Sequence, residues 1–282
     1  MIAVTGATGH LGRLVIEKLL ATHNAQDLVA IVRNPAKAQA LADKGVQVRE
    51  ADYGNPAALA SALQGVEKLL LISSSEVGQR AMQHRNIIDA AKSAGVQLIA
   101  YTSLLRADSS PLALHVEHVA TESALAQSGV PYVLLRNGWY SENYLESVPA
   151  ALEHGAFIGS AGEGKIASAT REDYAEAAAK VLSLDNQAGK VYELAGDSAW
   201  TLAELTEKIS ALTGKTVVYN NLSEADFAAA LQGAGLPEGF ARLLADSDVG
   251  ASKGGLYDDG HQLSRLIGRP TTTIDDSLKA VL

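Results

Sequence analysis

Cysteine is absent from all 282 residues. That excludes a disulfide framework, thiolate metal sites and a cysteine nucleophile, and it fits a reducing compartment. No apolar run approaches the ~20 residues a membrane-spanning helix needs. The start, Met1-Ile2-Ala3-Val4-Thr5-Gly6, lacks the basic region and small-residue cleavage site of a secretion signal, so a cytoplasmic chain is expected. Basic residues are few: 23 Lys and Arg against 32 Asp and Glu leave a formal charge of −9, and no cluster concentrates the positive ones. Phosphate backbones repel such a surface, so neither a nucleic acid nor a membrane is expected as a partner. Aromatic residues make up 5% of the chain, so a local concentration of them is informative.

The first half is an alternation. Short β-branched runs are expected as strands at Ile2–Thr5, Leu28–Arg33, Val46–Glu50, Lys68–Ile72, Leu98–Thr102 and Tyr132–Arg136. Between them, Leu11–Ala21, Ala36–Lys44, Pro56–Leu63, Arg80–Ala94 and Leu114–Gln127 repeat apolar residues every three or four positions, the helical period. Strand and helix in strict turn predict a doubly wound parallel α/β sheet of the Rossmann type, covered on both faces. After Arg136 the rhythm breaks. Asn137–Tyr144 and Gly155–Gly164 are expected as loops, Ala175–Leu184 as a helix, Lys190–Leu194 and Val217–Tyr219 as strands, and the chain from Thr201 as mostly helical. The division expected is residues 1–150 as a nucleotide-binding core and 151–282 as a mixed region that completes it and adds a small lobe. Leu222–Phe227 reads as a cap and helix start. Asp246–Gly255, with Lys253 beside glycines, reads as a loop that is either a mobile lid or an ordinary surface turn.

Directly after the first strand comes Gly6-Ala7-Thr8-Gly9-His10-Leu11-Gly12, followed at once by a helix. Gly6 permits a tight turn, Gly9 lets backbone N–H groups approach a pyrophosphate, and Gly12 allows close helix–strand packing, with the positive end of the helix on the phosphates. An NAD site carries an acidic residue about 20 positions on, for the ribose 2′-hydroxyl. Here the second strand ends Val32-Arg33-Asn34-Pro35, with Lys37 beyond. A guanidinium in that place suits a 2′-phosphate, so NADP(H) is the expected cofactor. Ligands of such sheets lie at the C-terminal strand ends. That adds Asp52 and Tyr53 (adenine neighbours, or for Asp52 a helix-start cap), Ser73, Ser74 and Ser75, and Thr102 with Ser103.

Taken together, GATGHLG, AIVRNPAKA, EKLLLISSSEVGQR, IAYTSLL, YVLLRNGWYSENY and GKIASATREDYA resemble the NmrA-like branch of the atypical short-chain dehydrogenases, over essentially the full length. The resemblance implies an NADP-binding core, a small C-terminal lobe, a substrate cleft between them, and NADPH-dependent reduction of a small quinone without flavin or metal. It also implies cofactor contacts at Gly6 to Leu11, at Arg33 and at Ser73 to Ser75. A further group, Asn137, Gly138, Trp139, Tyr140, Ser141 and Glu142 with Ala169, Thr170, Arg171, Glu172 and Asp173, is implied at the nicotinamide end. Two alternatives remain within the branch: a non-catalytic NADP sensor, and reduction of triarylmethane dye cations.

Short-chain dehydrogenases usually carry Tyr-x-x-x-Lys, whose phenol protonates the substrate oxygen. None of the nine tyrosines here has lysine four residues on. Leu114 and His118 stand where the pair would align. Hydride addition to a ketone makes a strongly basic alkoxide that needs a positioned acid. Addition to a quinone makes a phenolate-like anion, of pKa about 10. Such a reaction depends chiefly on positioning. Asn137, Trp139, Tyr140, Asn143 and Tyr144 crowd eight positions: they either line a flat acceptor, with Asn137 and Tyr140 as candidate catalytic contacts, or pack a junction. His118 is a third candidate, as proton source or orienting group, against the plainer reading of a packed histidine. His115, His118 and Glu122 have metal-compatible spacing but no third anchored ligand, so no metal is expected.

Overall fold

The computed structural model describes all 282 residues. In chain order the elements are β1 (Ile2–Thr5), α1 (His10–Leu20), β2 (Leu28–Val32), α2 (Gln39–Ala42), β3 (Gln47–Glu50), α3 (Pro56–Ala62), β4 (Lys68–Leu71), α4 (Arg80–Ala94), β5 (Leu98–Leu104), α5 (His115–Ser128) and β6 (Tyr132–Asn137). There follow α6 (Glu142–Leu145), α7 (Val148–His154), β7 (Ala156–Gly159), α8 (Arg171–Ser183), β8 (Val191–Leu194), α9 (Leu202–Thr213), β9 (Val218–Asn221), α10 (Glu224–Gly233), α11 (Glu238–Ser252), α12 (Gln262–Ile267) and α13 (Ile274–Val281). The chain forms two compact units. The first comprises Met1–Leu104, Val116–Asn137 and Arg171–Tyr192; the second comprises Leu105–His115, Gly138–Thr170 and Glu193–Leu282.

The first unit is built on the sheet β3-β2-β1-β4-β5-β6-β8. The pairs β1–β2, β1–β4, β2–β3, β4–β5 and β5–β6 are all parallel. The strand order runs outward in opposite directions from β1 and β4, which makes the C-terminal ends of that pair the switch point where such sheets bind ligands. Alternate strand residues explain the layering. Ala3, Leu69, Leu71, Ile99 and Tyr101 form one buried cluster with Leu59 and Ala62 of α3, Ile87, Ile88 and Ala91 of α4, and Leu125 of α5. Val15, Ile16 and Leu19 bury the inner face of α1. β1 and β2 are buried on both faces, whereas β3, at the edge, is half exposed. This is the expected Rossmann-type sheet.

Several expected boundaries shift. Ala36–Lys44 is a 3₁₀ turn, Pro35–Ala38, capped by the Asn34 side chain, and then the single-turn α2. The fifth strand continues to Leu104 because β6 pairs with it that far. Two expected loops carry regular structure. Asn137–Tyr144 gives way to α6, and Gly155–Gly164 contains β7, which pairs in parallel with β9. A local pattern cannot show a partner sixty residues away. Asp246–Gly255 is not a loop: residues through Ser252 are the last turns of α11, with Lys253 just after. Its glycines serve close packing. A Cβ on Gly250 would lie 2.7 Å from Leu112 Cδ1, and one on Gly255 would lie 2.5 Å from the same atom. The Asp246 carboxylate accepts from Ala113 N at 2.8 Å. Leu222–Phe227 folds as expected, with Ser223 Oγ accepting from Asp226 N at the start of α10.

Candidate functional site

The turn after β1 is shaped by its glycines. Gly6 has φ of 59°, the left-handed region that favours glycine. A Cβ on Gly12 would sit 2.3 Å from Gly6 O and 2.8 Å from Ala7 Cα, so only glycine lets α1 start this close to the strand. Ala7, Leu11 and Gly12 are buried, while Thr8, Gly9 and His10 face out. No side chain caps the N-terminus of α1 and no acidic residue lies in its first turn, in contrast to Thr201 at α9 and Thr273 at α13. Donors left open at a positive helix end fit an anion such as a pyrophosphate.

Arg33 follows β2. Its side chain is 63% exposed and its Nη1 lies 2.6 Å from Glu76 Oε1. Lys37 is exposed in the 3₁₀ turn beyond it. Asp52 is exposed and accepts from Gly54 N at 2.7 Å, closing a turn; the cap of α3 is Asn55. Tyr53 lies over the glycine turn, its hydroxyl donating to Ile72 O at 2.9 Å, and burial raises its pKa well above the ordinary phenol value. Ser73 N donates to Thr102 Oγ1, and Ile72 N to Thr5 Oγ1. Thr102 is thus buried as a tie between strand ends. Ser74 is buried and Ser75 exposed.

Beneath this edge lies a polar network of which sequence reasoning singled out Ser74, Ser103, His118 and Glu122 but missed Arg80, His84 and Thr121. Ser74 N donates to His84 Nε2 at 2.9 Å, and His84 Nδ1 meets Thr121 Oγ1 at 2.9 Å. The Thr121 hydroxyl donates to Glu117 O, so His84 Nδ1 carries the proton. His118 Nδ1 is 2.8 Å from the Tyr101 hydroxyl and its Nε2 is 3.4 Å from Arg80 Nη1. A guanidinium only donates, so His118 Nε2 accepts and Nδ1 is protonated. Burial, then the Arg80 charge, lower both imidazoles to about 3. His118 is therefore a neutral, buried link. Arg80 also donates to Ser74 O at 2.7 Å and pairs with Glu117 at 3.7 Å. Glu122, the third member of the metal-spaced set, is held at 2.7 Å by Arg136 and at 2.5 Å by Ser103. The signal for the network is a helix α4 whose buried face includes Arg80, Gln83 and His84 among its apolar residues.

Asn137 ends β6 and is 6% exposed, and its Oδ1 is buried with no hydrogen-bond partner. An orphaned acceptor at a strand's C-terminal end fits a bound amide or hydroxyl donor. In the second unit, Tyr140 bridges to Ala169: Ala169 N donates to Trp139 O at 3.1 Å and Ser141 N to Ala169 O at 2.9 Å. Gly138, Trp139, Tyr140, Ser141 and Glu142 therefore run beside Ala169 and Thr170. Trp200 Nε1, Ser168 Oγ and Ser141 Oγ form a buried chain beneath them. Trp139, Tyr140, Glu142 and Asn143 are half buried, whereas Tyr144 is buried edge-on against Trp200 at 4.9 Å. Tyr144 thus packs the interior and is not a wall residue. In the first unit, Arg171, Glu172 and Asp173 begin α8, with Glu172 paired to Lys18 at 2.6 Å and Asp173 buried.

Comparison with known proteins follows the same line. The profile of the NmrA-like family matches residues 1–277. Quinone oxidoreductase 2 of Escherichia coli is 70% identical over 278 residues, spanning 99% of this chain and 97% of that protein. The crystal structure of an Escherichia coli NADPH-dependent quinone oxidoreductase complexed with NADPH is 69% identical, with a TM-score of 0.98 over 100% of this chain and 99% of that one. The Citrobacter sp. triphenylmethane reductase complexed with NADP(H) is 41% identical, with a TM-score of 0.96 over 100% of both chains.

Proposed function

We propose, on the premise that this chain belongs to the NmrA-like family, that it is an NADPH-dependent quinone oxidoreductase. The observation that carries this is 70% identity across nearly the whole length to a quinone oxidoreductase. The uncapped α1 terminus, the glycine turn and the cation after β2 supply a matching nucleotide site. Bound NADPH supplies the hydride. Gly6 to Gly12 cradle the pyrophosphate, and Arg33, with Lys37 nearby, holds the 2′-phosphate. Asp52 and Tyr53 flank the adenine, and Ser73, Ser74 and Ser75 lie beside the middle of the cofactor, with Thr102 buttressing Ser73 from behind.

Asn137 offers its unpartnered oxygen to a donor at the reactive end, and Trp139 and Tyr140 hold a flat acceptor. The family resemblance adds Gly138 to Glu142 and Ala169 to Asp173 as further candidate cofactor contacts. The proton balance needs no positioned acid. Two electrons and one proton enter the quinone as hydride, leaving a hydroquinone monoanion that water protonates, its pKa being about that of a phenol, ~10. The departure from Tyr-x-x-x-Lys is compatible with such an acceptor. We also infer a cytoplasmic location, which a cysteine-free chain suits; no helix is long and apolar enough to cross a membrane.

A second reading, reduction of triarylmethyl dye cations, draws on the 41% identity to the Citrobacter enzyme. The test follows loss of NADPH absorbance with 1,4-benzoquinone, menadione and malachite green in parallel, corrected for uncatalysed reduction. Enzyme-dependent turnover of a quinone is expected. Turnover of the dye alone would move the function to the second reading, and tight NADPH binding without any turnover would make the chain a sensor.

A further inference from the structure

Arg33 follows β2, and Glu76 follows β4 by five residues. The two strands are not neighbours, because β1 lies between them and pairs with both. At ~4.8 Å per strand spacing, their ends stand ~10 Å apart. The 2.6 Å ion pair of Arg33 Nη1 with Glu76 Oε1 therefore spans the end of β1, where the chain enters the glycine turn. Glu76 is steadied from its own side. Its Oε2 accepts from Gln83 Nε2 at 2.8 Å, and its N–H donates to Ser74 Oγ at 3.1 Å. A carboxylate is thus set on the one guanidinium that follows β2, offering it the planar oxygens a phosphate would offer.

We propose that Glu76 is a selectivity residue for the cofactor: it occupies the Arg33 guanidinium until a 2′-phosphate displaces it, and so limits the preference for NADPH over NADH. This rests on Arg33 being the 2′-phosphate ligand. Carboxylate and phosphate compete for one guanidinium. A 2′-phosphate must take the guanidinium from Glu76 and then lie near a carboxylate of its own sign. NADH carries no such group and leaves the pair intact. Glu76 therefore subtracts from NADPH affinity and not from NADH affinity. Exposed ion pairs are weak, so the subtraction corresponds to about 1.5- to 5-fold in Kd.

The test measures Kd calorimetrically for NADPH, NADH, 2′,5′-ADP and 5′-ADP with the native chain, Glu76→Gln and Arg33→Ala. Glutamine keeps the size of the side chain and removes its charge. Glu76→Gln should tighten NADPH and 2′,5′-ADP by about 1.5- to 5-fold and leave NADH and 5′-ADP unchanged. The gain should shrink in ~1 M salt, where charges are screened within about 3 Å. Unchanged or weaker NADPH binding, or equal tightening of NADH, would overturn the role of Glu76. If Arg33→Ala meanwhile loses NADPH selectively, the Arg33 reading survives on its own. Equal losses of both cofactors in Arg33→Ala would remove that reading and this one together.

Discussion

The glycine turn makes two demands that substitution can separate. Gly9 has φ of −74° and ψ of 168°, open to any residue, and a Cβ there would meet only Gly6 O at 3.1 Å. A shift of a few tenths of an ångström relieves that contact, and the loss of unfolded-state freedom on Gly→Ala returns about 0.4–1 kcal/mol. Gly9→Ala should therefore leave stability nearly unchanged, while its methyl stands on the exposed turn where the pyrophosphate must approach. Gly12 is different. Its Cβ would lie 2.3 Å from Gly6 O and 2.8 Å from Ala7 Cα, both backbone atoms that cannot swing aside. Helix α1 must move off the turn, with Leu11, Val15, Ile16 and Leu19 riding on it. Overpacking of this kind costs about 1–3 kcal/mol, offset by up to ~1 kcal/mol of helix propensity. A net loss of about 2 kcal/mol, set against an unfolding entropy of roughly 2.1 cal/mol/K per residue, lowers Tm by about 3 °C. Melting is measured without cofactor, because ligand would mask the difference, and NADPH affinity is measured separately. Gly9→Ala should hold Tm within about 1 °C of native and weaken NADPH at least ~10-fold, a loss of about 1.4 kcal/mol. Gly12→Ala should lose both. Native NADPH affinity in Gly9→Ala would refute the turn as the phosphate cradle, and a native Tm in Gly12→Ala would refute the packing argument.

Two predictions concern acid and base. His84 titrates near 3 in the folded chain and near its ordinary value of 6.5 unfolded, so the unfolded state binds more protons between those values. Its contribution is complete above pH 6.5 and falls by up to about 1.4 kcal/mol per pH unit on the way down to 3. Urea unfolding at pH 7, 6, 5 and 4 should show a shallower decline in His84→Gln than in the native chain; parallel declines would count against the network. Asp248 has the opposite sign. Burial pushes it up to about 6, although Ser160 N donates to it at 2.8 Å. Its neutral form stabilises the fold fully below pH 3.8, and that contribution is lost as pH rises through 6. Asp248→Asn should gain stability over native at pH 7.5, by up to ~3 kcal/mol, and not at pH 4; an equal difference at both would refute the burial argument.

The sheet was legible because its evidence is local: β-branched runs, helical spacing and a glycine turn at the end of β1 all lie within windows of twenty residues. Arg33 was legible through the acid that is missing from its place. What escaped was whatever depends on distant partners. Glu76 sits 43 residues from Arg33, in a segment that reads as polar loop. His84 looks like any helical histidine until α4 and α5 bring Ser74 and Thr121 to its two nitrogens. Glycines misled in the second unit. Gly159 and Gly164 read as part of a loop, yet a Cβ on Gly159 would lie 2.7 Å from Asp248 Oδ2 and one on Gly164 would lie 2.5 Å from Ala251 O. Glycine at those places is a demand for closeness. The adjacency of Gly138–Glu142 and Ala169 came from the resemblance alone, since nothing in period or spacing brings segments thirty residues apart together.

His118 concentrates the question of the proton. As an acid it would have to be an imidazolium, buried at 6% exposure with Arg80 Nη1 at 3.4 Å and its other nitrogen engaged by Tyr101. Burial and the Arg80 charge lower its pKa to about 3, so the neutral form prevails at pH 7. Tyr101 offers no substitute, since burial raises its pKa above the ordinary phenol value. The pair therefore holds its protons at neutral pH, and its contribution lies in fixing α5 and Arg80 beneath Ser74. His118→Gln preserves both contacts in kind, with an amide N–H toward Tyr101 and an amide oxygen toward Arg80. The variant should bind NADPH as the native chain does and keep a kcat-against-pH profile parallel to the native one from pH 5.5 to 8, with turnover lower by a few-fold at most. A limb near pH 6.5 in the native profile that vanishes in His118→Gln would reinstate the imidazole as the proton source. It would also mean that the phenolate-like product does not leave unaided, which is the premise on which the missing Tyr-x-x-x-Lys pair is understood.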